Sequence, residues 1–172
     1  MRPASKAALI AGGYVLAWLV ARAVVAIHVA ATSGADRDGA QGMFAFGDSL
    51  YFLAAFGLVA LVPTAAALIV MRPYPRFWLG ITITGVTLAT SGLLAVLAFL
   101  LARGGTMGPF LRTAAGLSVA RILVAPLVTL LLLLAGVIAP TRGSRIALLV
   151  SAAVEGTGFA CVALVWTLGW RF

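Results

Sequence analysis

Residues 146–168 read IALLVSAAVEGTGFACVALVWTL, an apolar run broken by a single ionisable side chain, Glu155. About 20 apolar residues suffice for a helix to cross the hydrocarbon core of a bilayer, and a helix satisfies its own backbone hydrogen bonds where no water is present. Around Glu155 the run is rich in small residues: Ser151, Ala152, Ala153, Gly156, Gly158 and Ala160. Such residues let helices approach closely, which is how bundles pack in lipid. The stretch reads as a transmembrane helix with neighbours.

Outward from it, the same pattern recurs four times, at about 7–31, 49–71, 77–102 and 119–139. The expected fold is all-α, an integral membrane bundle of five transmembrane helices forming a single membrane domain over residues 1–172. The composition agrees, being 63% hydrophobic and only 9% charged. Soluble domains carry about 25% charged residues, and a chain so poor in charge could not cover a water-facing surface.

The connectors carry helix-ending chemistry. Asp48 or Ser49 is expected to cap the second helix, since a short side-chain oxygen accepts a free first-turn N–H. Arg72-Pro73-Tyr74-Pro75-Arg76 ends it, because two closely spaced prolines cannot continue a helix and arginines suit its C-terminus. In the connector 103–118, Gly104, Gly105 and Gly108 act as breakers, and Pro109 suits the first turn of a new helix. Phe110, Ala114 and Leu117 then share a face, which predicts a short interfacial helix leading into the fourth span. Thr141–Arg145 forms the last tight loop, and Trp166 and Trp170 are placed to anchor the fifth helix at headgroup level. Ala21-Arg22-Ala23 offers a leader-like cleavage site, but the apolar character continues through Ala31, so an uncleaved first span is expected. Pro63 and Pro126 suggest a duplicated hairpin, but the surrounding side chains do not align.

The net charge of +8 arises mostly from single arginines at helix ends, without a basic stripe or tail. It fits orientation in the membrane and contact with anionic headgroups, and no nucleic-acid partner is expected. With five spans, Arg2, Lys6, Arg72, Arg76, Arg142 and Arg145 fall on one side and Arg37, Arg103, Arg112 and Arg171 on the other. The positive-inside rule then puts the N-terminus in the cytoplasm and the C-terminus outside. One lysine against eleven arginines, amid much Ala, Gly, Val and Leu, suggests a GC-rich bacterial genome, hence the bacterial cytoplasmic (inner) membrane.

Three ionisable residues fall within spans: Arg22, Arg121 and Glu155. Intramembrane charges are costly, face the bundle interior or water, and take partners. Glu155 is expected to pair with Arg22, Arg121 or both. The cluster is either a structural ion pair or a ligand-binding site whose second arginine attracts an anion. Tyr14, Trp18 and Arg22 recur at i, i+4 and i+8, so Trp18 is placed for a cation–π contact with Arg22. His28 is expected at the outer interface, hydrogen-bonded to a loop. Thr84, Thr87 and Ser91 share a face and either line a polar path or bond to backbone, the more ordinary role. Cys161, the only cysteine, is expected as a small buried hydrophobe.

No catalytic, cofactor or metal site is expected: HExxH, GxSxG, CxxC and P-loop patterns are absent, and one His with one Cys cannot build a zinc site. Asp36 and Asp38 alone do not make a calcium loop. The function expected is that of a non-catalytic subunit or scaffold of a membrane complex. The partners are then the lipid bilayer and other membrane subunits or a second copy of the chain. The alternatives are a small carrier or binding protein for an anionic or amphipathic ligand, and an intramembrane lipid-modifying enzyme using Glu155 as acid or base.

Overall fold

The computed structural model describes residues 3–34, 40–102 and 109–169. It is all-α, with five helices: α1 (Pro3–Ala31), α2 (Gln41–Val70), α3 (Pro75–Ala102), α4 (Pro109–Ile138) and α5 (Arg142–Gly169). Among the described residues, four stretches are long and apolar enough to cross a membrane, namely Ala4–Ala31, Gln41–Val70, Pro75–Ala98 and Arg142–Val165. Leu123–Ile138 in α4 is a shorter apolar stretch. The chain forms two compact units, Met1–Val70 and Met71–Phe172.

The first unit is the α1–α2 hairpin. Small residues make its seam: Ala17 and Ala21 are buried on α1, and Gly57, Ala60 and Pro63 on α2. Gly13, one turn before Ala17, packs tightly on α2, since a Cβ there would lie 2.8 Å from the Cβ of Pro63. Only a residue without a side chain fits, so the α1 backbone meets the Pro63 ring at this point. One residue further on in each helix, the Thr64 hydroxyl donates to the Ala60 carbonyl at 2.7 Å and sits 2.9 Å from the Tyr14 hydroxyl. With the threonine proton committed to the carbonyl, Tyr14 is the donor across the seam.

Residue pairing runs Tyr14 with Thr64 and His28 with Asp48, as an antiparallel hairpin requires. Asp48 and Ser49 are not caps. The helix opens at Gln41, and the Ser49 hydroxyl donates to the Ala45 carbonyl at 2.8 Å inside it. The segment Met43-Phe44-Ala45-Phe46 is apolar and free of proline, so nothing stops the helix from extending back over it.

The second unit packs α3, α4 and α5 against one another. On α3 the buried positions are Trp78, Gly85, Ala89 and Gly92, spaced by threes, fours and sevens as one helical stripe. A Cβ on Gly85 would come within 2.9 Å of Leu132 on α4 and of Leu148 on α5, so this glycine seats two leucine side chains at once. Gly136 of α4 does the same for Leu149 of α5. The Trp78 indole donates to the Met71 carbonyl at 3.2 Å, fastening the turn before α3. Helix α4 ends before Pro140; Thr141 then caps α5, its hydroxyl accepting from the Ser144 N–H at 3.3 Å, while Arg145 donates to the Ala139 carbonyl at 3.2 Å.

Pro109 is the first residue of α4, as its chemistry predicts. The expected separate interfacial helix is corrected, however, because residues 109–118 are the opening turns of one continuous helix. Between Pro109 and the apolar stretch only Gly116 weakens the helix, and a single glycine costs too little, roughly 1 kcal/mol, to break it. Cys161 is also corrected: it is exposed. The buried positions of α5 are Leu148, Ser151, Ala152, Glu155 and Val162, and Cys161 lies one residue, about 100° of helix rotation, off that stripe. Asp36, Asp38, Arg103 and Trp170, and the side chains of Phe110, Arg112, Ala114, Leu117 and Trp166, lie outside the described residues.

Candidate functional site: an interhelical ion pair beside a cleft

Glu155 lies midway along α5, with a side chain only 4% exposed. A carboxylate buried this deeply needs a counter-ion and hydrogen-bond donors. Arg121 of α4 supplies both, its Nη2 donating to Glu155 Oε1. The same Nη2 donates to the Leu88 carbonyl on α3, and Nη1 donates to the Ser91 hydroxyl at 2.9 Å. Ser91 in turn donates to the Leu88 carbonyl at 2.9 Å. One guanidinium thus ties all three helices of the second unit together.

The sequence makes room for this crossing at Gly92. A Cβ there would lie 2.6 Å from Glu155 Oε1 and 2.9 Å from Arg121 Nη2, so the ion pair rests directly on the α3 backbone. Beside the pair, a small half-open cleft, with about 20 Å³ of space that a water can reach, runs between the three helices. Among the described residues that line it, Arg121 and Glu155 are the only polar ones; Val96, Ala125, Val154, Phe159 and Val162 give apolar walls. Glu155 is covered while the Arg121 side chain is 27% exposed, so the cation is the more accessible partner.

Of the three residues singled out from the sequence, Arg121 and Glu155 are in contact. Arg22 belongs to the first unit, where its guanidinium lies 5.6 Å from the centroid of the Trp18 ring, the contact that the i, i+4 spacing predicts. Thr82 and Thr90 bond to the carbonyls of Trp78 and Val86 in their own helix, as threonines in apolar helices ordinarily do, whereas Ser91 reaches across to Arg121.

A second polar group is one that sequence reasoning missed. His28 of α1 faces α2 rather than a loop: Nε2 lies 3.8 Å from Asp48 Oδ1, and its ring sits 4.1 Å from the Tyr51 ring, tilted by 36°. Extending α2 back to Gln41 brings Asp48 and Tyr51 onto the helix face that meets α1. The signal was the apolar run before Asp48. Among the described residues no group of three or more His, Cys, Asp or Glu is placed to hold a metal ion.

No protein-family model, no curated protein and no solved structure matches the chain.

Proposed function

We propose that the chain is a five-span protein of the bacterial cytoplasmic membrane, with its N-terminus in the cytoplasm, and that it serves as a non-catalytic subunit or scaffold of a larger membrane assembly. The four long apolar helices and the apolar part of α4 support the membrane placement, and the Lys/Arg distribution supports the orientation.

The observation that carries the non-catalytic reading is the bonding of Arg121. Its three hydrogen bonds all go to acceptors on the neighbouring helices α3 and α5. Glu155 is thereby engaged as a counter-ion, which argues against its acting as a free acid or base on a lipid. Large apolar side chains such as Leu79, Ile83, Leu94 and Leu97 stand exposed along α3, surface that suits lipid or another apolar helix.

Native mass spectrometry of the protein extracted in mild detergent from its own membrane tests this reading. A stoichiometric partner protein is expected. Recovery of the chain alone, from several gentle detergents, would overturn it.

A further inference from the structure

Arg22 of α1, unlike Arg121, has neither a counter-ion nor a hydrogen-bond acceptor among the described residues. Its side chain is exposed, and its guanidinium lies 5.6 Å from the centroid of the Trp18 ring, a residue itself 48% exposed. An aromatic face attracts a cation but accepts none of the five N–H donors in the plane of a guanidinium. A cation within a membrane span is costly and takes a partner.

The chain's own acids are committed elsewhere. Of the four, Glu155 is held by Arg121, Asp48 lies beside His28, and Asp36 and Asp38 fall between α1 and α2 in the sequence. Among the described residues, no helix has an uncommitted carboxylate to offer.

Depth decides between a lipid phosphate and a carboxylate on another helix. Lys6 and His28 mark the polar ends of α1, 22 residues apart (28 − 6), or about 33 Å at 1.5 Å per residue, which matches a hydrocarbon core of about 30 Å. Arg22 stands six residues (28 − 22), or about 9 Å, inside the His28 end. A snorkelling arginine would turn toward that end. This one leans the other way, over Trp18 in the preceding turn, as helical side chains do. In the proposed placement its guanidinium therefore lies among lipid tails, short of the phosphates. The surface beside it suits a helix. Ala26 and Ala30 continue the line of Trp18 and Arg22 at four-residue steps, both are exposed, and small side chains let another helix come close.

We propose that this face of α1 docks a transmembrane helix of a partner protein that carries an Asp or Glu within its apolar span, the carboxylate pairing with Arg22. This rests on the subunit reading above and gives the partner its chemistry.

The test places the photo-crosslinking residue p-benzoylphenylalanine at Ala26 in the full chain, in its own membrane, and maps the adducts by peptide mass spectrometry. A discrete adduct on a span of another protein is expected, and that span contains Asp or Glu. Arg22→Gln should lower its yield roughly tenfold, the factor that a hydrogen bond to a charged group accounts for. Arg22→Lys, which keeps the charge, should retain most of it. Arg22→Glu should lose the adduct, and replacing the partner's acidic residue by arginine should restore it. Adducts on lipid alone, on this chain or a second copy of it, or on a span free of acidic residues would overturn the proposal. The mapping needs no change at Arg22, so it decides the matter even if a variant misfolds. A partner recovered as fully with Arg22→Gln as with the parent chain would also overturn it and leave the subunit reading standing, whereas recovery of the parent chain alone would remove both.

Discussion

Pro63 of α2 packs directly on Gly13 of α1, leaving no room for a methyl group: a Cβ on the glycine would fall 2.8 Å from the proline Cβ. A proline ring is rigid and cannot swing away, so the strain of any side chain at this position must be taken up by separating the helices.

Gly13→Ala is therefore expected to destabilise the α1–α2 hairpin by about 1–3 kcal/mol, the usual cost of overpacking. Gly12→Ala is the control, since a Cβ there meets nothing within 4 Å. It should be neutral or slightly stabilising, because alanine is the better helix former. Thermal unfolding in detergent, read by near-ultraviolet circular dichroism, compares the two. Equal melting would show that the close approach does not hold in solution.

Glu155→Ala leaves Arg121 in the bundle without its counter-ion, whereas replacing both residues by leucine removes the charge altogether. The single substitution should be the more damaging, by up to about 3–5 kcal/mol in a fully buried setting and less here, where the arginine is partly exposed. A double-mutant cycle on urea or SDS unfolding gives the coupling. Additive effects within about 0.5 kcal/mol would mean that the pair contributes nothing as a pair.

Gly92→Ala should injure the same site without altering any charge. A methyl group there comes within 3 Å of both Arg121 Nη2 and Glu155 Oε1. The expected result is a loss of stability that largely disappears in the Arg121→Leu, Glu155→Leu background. Gly80→Ala, with open space around it, should be silent in either background. A Gly92→Ala effect that persists unchanged without the ion pair would refute this account of the glycine.

Cys161 is exposed on α5, eight residues before Gly169, or about 12 Å from the helix end. A membrane-permeant maleimide should label it in intact membranes. A charged, impermeant maleimide should not label it until the membrane is dissolved. Rapid labelling by the charged reagent in sealed vesicles would place this part of α5 in water.

His28 and Asp48 should prove energetically linked across the hairpin end, although weakly. Their 3.8 Å separation is long and both side chains are partly exposed, so a coupling of about 0.2–1 kcal/mol between His28→Ala and Asp48→Ala is expected. Unfolding midpoints of the two single variants and the double variant measure it.

The sequence made the helices easy to see, because apolar blocks separated by Pro, Gly and Arg leave few alternatives. Arg121 with Glu155 was legible for a related reason: among so few charges, a buried glutamate must find a cation. The rest of the site was not legible. Ser91 stands in a run with Thr87 and Thr90, and nothing in that run says which hydroxyl looks across to another helix. Gly92 resembles any other glycine until the guanidinium is seen lying on it. The His28–Asp48 contact was missed because Asp48 has the chemistry of a helix cap. That local preference lost to the apolar residues before it, which continue the helix to Gln41.

Arg121 and Glu155 stand on consecutive helices joined by only residues 139–141. Placing either charge alone at the centre of a bilayer costs roughly 2.5–3.5 kcal/mol on the insertion scale. In the proposed five-span arrangement, a turn this short would let α4 and α5 enter lipid as one hairpin with the two charges already facing each other. The tight Thr141 turn thus bears on biogenesis as well as on the finished bundle. Lengthening it with a flexible polar insert would separate the two entry events, and each helix would then meet the membrane carrying its charge unshielded.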